Sequence, residues 1–164
     1  MVHTDDLSLL SGLPIFERFT SVELMLVLMA ASTLRFDAGE SIIREGTEGN
    51  SLYIIKRGEV RVMKYDGKGA ECELAQLAAG ECFGEVSLID SEPRSANVYA
   101  KKNCVLYRIG RNEFADLLLN HKEIERKFYK NISKVLAERL RRANEYLTFN
   151  LEVGDMIRDI EKEN

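Results

Sequence analysis

The chain of 164 residues has no tryptophan, two prolines, two histidines and three cysteines. Each shortage removes a class of function. Cys72, Cys82 and Cys104 stand at wide, irregular spacing, which gives neither a disulfide framework nor a paired-cysteine metal site. An iron–sulfur cluster would need four cysteines, and the role expected here is that of small buried hydrophobes. His3 and His121 do not supply the converging ligands of a metal centre inside a β-barrel. There is no Ser-His-Asp set and no Walker-type lysine loop, so a non-enzymatic protein without metal or cofactor is expected.

A net positive charge is also lacking. The net charge of −4 argues against a broad electrostatic grip on nucleic acid or on an anionic membrane. The longest apolar run, "VELMLVLMAAS" from Val22, contains Glu23 and falls well short of the roughly 20 residues that span a bilayer. The opening "MVHTDDLSLL" has acids where a secretion signal would carry bases. A soluble, cytoplasmic chain with no membrane partner is expected.

What is present falls into three zones, within a length that suits one domain with a proper core. Residues 1–33 read as helices, broken at Gly12 and Pro14, with Thr20-Ser21 capping "VELMLVLMAAS" and Glu23 in the first turn. From 34 to 110, short β-branched or alternating runs such as "SLYIIKRGEVRVMKY" and "CVLYRIG" are cut by glycine turns, among them Arg57-Gly58 and Asp66-Gly67-Lys68-Gly69. That texture predicts an antiparallel sandwich or jelly-roll barrel. Residues 111–150 return to helix. "RNEFADLLLNH" is short, whereas the helix from Lys122 carries Ile124, Phe128, Ile132, Val135 or Leu136, Leu140, Ala143 and Leu147 in one apolar stripe. The acidic tail, 151–164, is expected to break at Gly154 and to form a short helix or fray.

The chemistry concentrates in "GECFGEVSLIDSEPRSANVY", Gly80 to Tyr99, where Glu85 and Arg94 lie among apolar and small residues. A buried charge without a partner is costly, so the two pair with each other, find local donors, or await a ligand. Glu85 to Asp90 has room for one helical turn, whose N-terminal amides favour an anion. Gly84 lets a ligand approach the backbone, and Arg94 offers a planar fork suited to phosphate. An ionised Glu85 only accepts hydrogen bonds, which suits a ligand hydroxyl. Small residues at Ser87, Ser95 and Ala96 leave space. Phosphate and hydroxyl in an apolar cup describe a nucleotide.

"FGEVSLIDSEPRSANV" resembles the phosphate-binding cassette of the cyclic-nucleotide-binding domains, the family of bacterial cAMP receptor proteins, cAMP-dependent kinase regulatory subunits and cyclic-nucleotide-gated channels. The flanking "LRFDAGESIIREGTEGNSLYIIKRGEVRVMK" resembles its strands, and the likeness runs from about Ile15 to Leu147. It implies an eight-stranded jelly roll flanked by helices, spanning residues 1–150. Glu85 would take the ribose hydroxyl, and Arg94, Ser95 and the backbone of Gly84, Glu85 and Ser87 the cyclic phosphate. The long helix would cover the base with Arg139 or Asn144, and in the bacterial branch it would also form a homodimer. The ligand implied is cAMP, with cGMP open because Ser95 has a hydroxyl.

The outputs familiar in that family (a winged helix-turn-helix, a channel, a kinase-inhibiting segment) have no counterpart in the sequence. A signal is then expected to leave through the long helix, the acidic tail or a downstream partner protein. Lysine and arginine on that helix are diluted by Glu123, Glu125, Glu138 and Glu145, so direct DNA binding is not expected. The alternative is an interaction scaffold that uses the same fold to present the helix for oligomerisation.

Overall fold

Thr20 sets where the second helix begins. Its hydroxyl accepts from the Glu23 amide at 3.3 Å while the Glu23 carboxylate accepts from the Thr20 amide at 2.7 Å, a reciprocal cap that satisfies two otherwise orphaned donors. The computed structural model describes residues 4–163 apart from Gly67 and Ser91, without the side chains of Ser87, Leu147, 150–152 and 154–163. His3 and the Gly67 position of the expected turn lie outside the described residues. Helix α1 covers Thr4–Ser11, a 3-10 turn Pro14–Phe16, and α2 Ser21–Met29. The sequence pattern carries α2 on to about Ser32; it ends earlier because Ala31 already pairs with Ile109 as the first residue of strand β1.

The strands are β1 (Ala31–Phe36), β2 (Ser41–Ile43), β3 (Ser51–Arg57), β4 (Glu59–Tyr65), β5 (Glu71–Ala78), β6 (Cys82–Phe83), β7 (Asn97–Ala100) and β8 (Cys104–Gly110). They form two four-stranded antiparallel sheets, ordered β1-β8-β3-β6 and β2-β7-β4-β5. Among the described residues no strand pairing joins the sheets, so the eight strands make an open jelly-roll sandwich and not a closed barrel. Between β3 and β4 the chain turns at Gly58 (φ 98°), where a Cβ would meet the Asn103 carbonyl oxygen at 2.5 Å.

Strand β3 is buried on both faces. Tyr53 and Ile55 join Val60, Phe83, Val98 and Leu106 in the core of the sandwich. Leu52 and Ile54 face the other way, into a second core built with Leu10, Phe16, Val27, Phe114 and Phe128 from the helices. That second core holds α4 (Arg111–Asn120) and the start of α5 (Lys122–Glu163) against the sheet. Asn131 secures α5 to the 3-10 turn by donating to the carbonyls of Ile15 and Glu17 at 3.2 and 2.8 Å.

Helix α5 is longer than the apolar stripe alone indicates. It runs through Gly154 for 42 residues, a length of about 63 Å. One internal glycine costs about 1 kcal/mol relative to alanine, less than is needed to stop a helix whose flanks, "NLEV" and "DMIRDIEKE", are mostly good helix formers. From Ala137 to Phe149 every described side chain is exposed.

Candidate ligand-binding site

Arg94 reaches the site through a loop that is pinned before its side chain is considered. Its amide donates to the Thr47 carbonyl at 2.8 Å and its carbonyl accepts from the Gly46 amide at 2.9 Å, which fastens the segment before β7 to the turn after β2. The guanidinium is buried, with Nη2 donating to the Ser51 carbonyl at 2.7 Å and Nη1 to the Gly84 carbonyl at 3.2 Å. It lies over the Tyr53 ring, 5.8 Å from the centroid, and that ring stacks on Phe83 at 5.1 Å. Burial pulls Arg94 below its ordinary pKa, with neighbouring tyrosine and glutamate opposing the shift.

Gly84 (φ 78°) is required by this arrangement, because a Cβ there would stand 2.6 Å from Arg94 Nη1 and 2.9 Å from the Ser51 oxygen. The sequence suggests Gly84 for close approach of a ligand; in the structure it first makes room for the guanidinium. Directly after it, Glu85 is 1 % exposed and precedes the single-turn helix α3 (Val86–Asp90), where the sequence pattern places one. One carboxylate oxygen, Oε1, accepts from Arg139 Nη1 of α5. The other, Oε2, is buried and has no hydrogen-bond partner among the described residues.

These groups border a cavity of about 580 Å³, with Gly84, Glu85, Arg94, Ser95 and Arg139 at its polar side and Ile43, Val62, Leu74, Leu77 and Val98 as its apolar wall. Five residues singled out in the sequence thus meet at one cavity. Asn144 does not; Ala143 lines the wall in its place. The side chain of Ser87 lies outside the described residues. Two contributors carry no sequence signal as site residues. The Ser51 carbonyl is a backbone group, and Tyr53 reads only as a core residue of β3. Glu85 and Arg94 do not form the mutual ion pair that was one possibility, since the salt-bridge partner of Glu85 is Arg139.

A second cavity, of about 590 Å³, lies beyond Arg139 and is lined by Leu13, Ile15, Leu77, Cys82, Val135 and the Arg139 side chain itself. The Cys82 thiol, buried between the two, is pushed up to about 12 by burial and then by the nearby Glu85 charge, so it is not a nucleophile at neutral pH. Among the described residues no group of three His, Cys, Asp or Glu side chains is placed to hold a metal ion, and no helix is long and apolar enough to cross a membrane.

An open jelly roll between helices, with a Phe-Gly-Glu turn and a Pro-Arg-Ser segment meeting at one cavity, defines a class of ligand-binding domain. The sequence matches the family described as cyclic nucleotide-binding domain over residues 33–121, more than half of the chain, and the chain belongs to that family. It is 31% identical to the cyclic AMP receptor protein of Thermus thermophilus over 135 residues, 82% of this chain and 61% of that one. It is 34% identical to the cAMP-dependent protein kinase regulatory subunit of Emericella nidulans over 114 residues, 70% of this chain and 26% of that one. Among solved structures, the catabolite activator protein of Thermus thermophilus matches with a TM-score of 0.75 at 31% identity, covering 83% of this chain and 62% of that one. A cyclic nucleotide-binding domain from Methylobacillus flagellatus matches with a TM-score of 0.76 at 25% identity, covering 84% and 78%. The chain therefore spans about a quarter of the kinase regulatory subunit and about three-fifths of the receptor protein. By name, the first two of these relatives are a receptor protein and a regulatory subunit.

Proposed function

We propose that this chain is a non-catalytic regulatory module of the cytoplasm that binds a cyclic nucleotide, cAMP by preference, in the 580 Å³ cavity. The observation that carries the reading is the buried Glu85 oxygen without a donor at the edge of that cavity. A buried acceptor left unsatisfied is destabilising, and a ribose hydroxyl is a donor that would satisfy it. The cyclic phosphate falls to Arg94, Ser95 and the backbone of Gly84, Glu85 and Ser87. The purine falls to the apolar wall of Val62, Leu74 and Leu77. Support for cAMP over cGMP comes from the names of the relatives; Ser95 keeps cGMP open.

In this reading the output is the position of α5, which brings Arg139 to the site and an exposed surface to a second copy of the chain or to a downstream protein. An interaction scaffold is favoured by one observation, the exposure of Leu140, Tyr146 and Phe149 along α5. Calorimetric titration of nucleotide-stripped protein with cAMP and then cGMP separates the two. Binding at micromolar or tighter Kd is expected for at least one. Silence with both would leave the scaffold.

A further inference from the structure

The second cavity shares Leu77, Cys82 and Arg139 with the proposed nucleotide site and is otherwise separate from it. Its volume of about 590 Å³ falls within the roughly 300–1,000 Å³ of small-molecule sites. The floor is apolar. Leu13, Ile15 and Cys82 are buried there, with Leu77 and Val135 half-buried beside them. None of these side chains carries an oxygen or a nitrogen. Glu81, which also borders the cavity, is engaged in its own turn, where its carboxylate accepts from the Ala78 amide at 2.7 Å.

The rim is cationic. Lys134, Arg139, Arg141 and Arg142 face only Glu81 and Glu138, four bases against two acids, in a chain whose net charge is −4. Arg141 and Arg142 share the one carboxylate of Glu138, each at 3.1 Å, and each spends one of its five N–H donors there. Their side chains are exposed, at 65% and 75%, so the unspent donors are open to an anion at the mouth.

We propose that this cavity is a second ligand site, which takes a free single-chain fatty acid: the hydrocarbon lies on Leu13, Ile15, Cys82 and Val135, and the carboxylate meets Arg141 and Arg142. An apolar cavity takes an apolar occupant in preference to water, and a guanidinium fork suits a carboxylate. A second nucleotide does not fit, because its sugar and base would find no side-chain hydrogen bonds on that floor. Nor does an anionic bilayer, which the net negative charge repels. The site requires no bound nucleotide and stands apart from the cyclic-nucleotide reading.

The test is calorimetric titration of the delipidated full chain with octanoate, decanoate and laurate, each below its micellar concentration, and with decanol. One molecule per chain is expected. A buried methylene is worth about fourfold in affinity, so laurate should bind on the order of a hundredfold more tightly than octanoate. Decanol, without the anion, should bind about tenfold more weakly than decanoate. Arg141→Gln combined with Arg142→Gln should weaken laurate about tenfold and leave decanol unchanged; both positions are exposed, so the fold is not at stake. Val135→Trp, which fills a floor position that the nucleotide cavity lacks, should abolish binding in a chain that still melts cooperatively. No binding, no gain with chain length, several molecules per chain, or laurate binding indifferent to the arginine pair would overturn the proposal. So would binding to phosphatidylglycerol vesicles in place of laurate.

Discussion

The guanidinium of Arg94 occupies the space that a side chain on Gly84 would need, with Nη1 2.6 Å from the position of a Cβ there. Gly84→Ala must therefore push Arg94 off the Ser51 and Gly84 carbonyls and strain a backbone at φ 78°. Positive φ and close contact together cost about 2–3 kcal/mol, or roughly 5–10 °C in Tm for a domain of this size. The variant is expected to melt earlier by that amount and to lose cyclic-nucleotide affinity at least tenfold in calorimetry. A Gly84→Ala chain with unchanged melting and binding would mean that Arg94 has another place to go.

Arg94→Lys separates charge from shape. The lysine keeps the cation, but a single ammonium does not reproduce the fork that reaches two carbonyls 2.7 and 3.2 Å away. Loss of one charge-assisted hydrogen bond is worth about 1.5–3 kcal/mol, so cAMP affinity is expected to fall at least tenfold. Arg94→Ala should fall further, with a lower Tm from the buried Ser51 carbonyl and the half-buried Gly84 carbonyl left open. Equal affinity in both variants and the parent would remove Arg94 from the ligand site.

How much of this could be read in advance depends on whether a feature is local. The Thr20–Glu23 cap, the start of α5 at Lys122 and the one-turn helix after Glu85 each depend on neighbours within a few residues, and they appear in the structure where the pattern puts them. Strand β6 is two residues long, too short to show any period. The open sandwich in place of a barrel depends on which strand edges meet, and no single strand encodes that. Gly84, Glu85, Arg94 and Ser95 come from one continuous stretch and line one cavity. The residue that α5 brings to them comes from 54 positions beyond Glu85, and spacing alone fixes a helix's rotation only to within a turn. Asn144 lies one position beyond the cavity lining: it sits about 100° around the helix from Ala143, which faces the cavity.

Alkaline pH should expose the buried thiol and the polar link under α1. The Cys82 thiol is pushed up to about 12, mainly by burial. Lys56 is held above its usual range by hydrogen bonds to Asp6, 2.6 Å away, and to Tyr107; Tyr107 is raised mainly by burial. All three have folded pKa values above their unfolded ones. Their contributions are complete below the unfolded values, about 8.5 for Cys and about 10 for Tyr and Lys, and are lost as pH climbs through the folded values. Tm is expected to stay level from pH 6 to about 8.5 and to fall between about 9 and 12. Cys82→Ala should flatten the early part of that decline. Thiol labelling at pH 8 should modify exposed Cys72 quickly and leave buried Cys82 and Cys104 until the chain opens; rapid labelling of Cys82 in the folded protein would contradict its burial.

The exposed stripe of α5 makes the last prediction one of assembly. Leu140 is 63% exposed, Tyr146 69% and Phe149 62%, on a stretch of helix whose described side chains are all exposed from Ala137 to Phe149. Leu140, Tyr146 and Phe149 are the large apolar groups that this stretch offers to a partner helix, the kind of surface by which two helices pack in a seam. A second copy of the chain offers the same stripe, and a two-fold pairing would cover both at once. Sedimentation at micromolar concentration is expected to give a dimer, and Leu140→Glu, which sets a charge opposite its own copy in the seam, to give a monomer. Because Leu140 contributes little to the core of its own subunit, the variant should keep its far-ultraviolet circular dichroism. A parent chain that sediments as a monomer up to about 100 μM, several decades weaker than a stable dimer, would assign the stripe to a different protein.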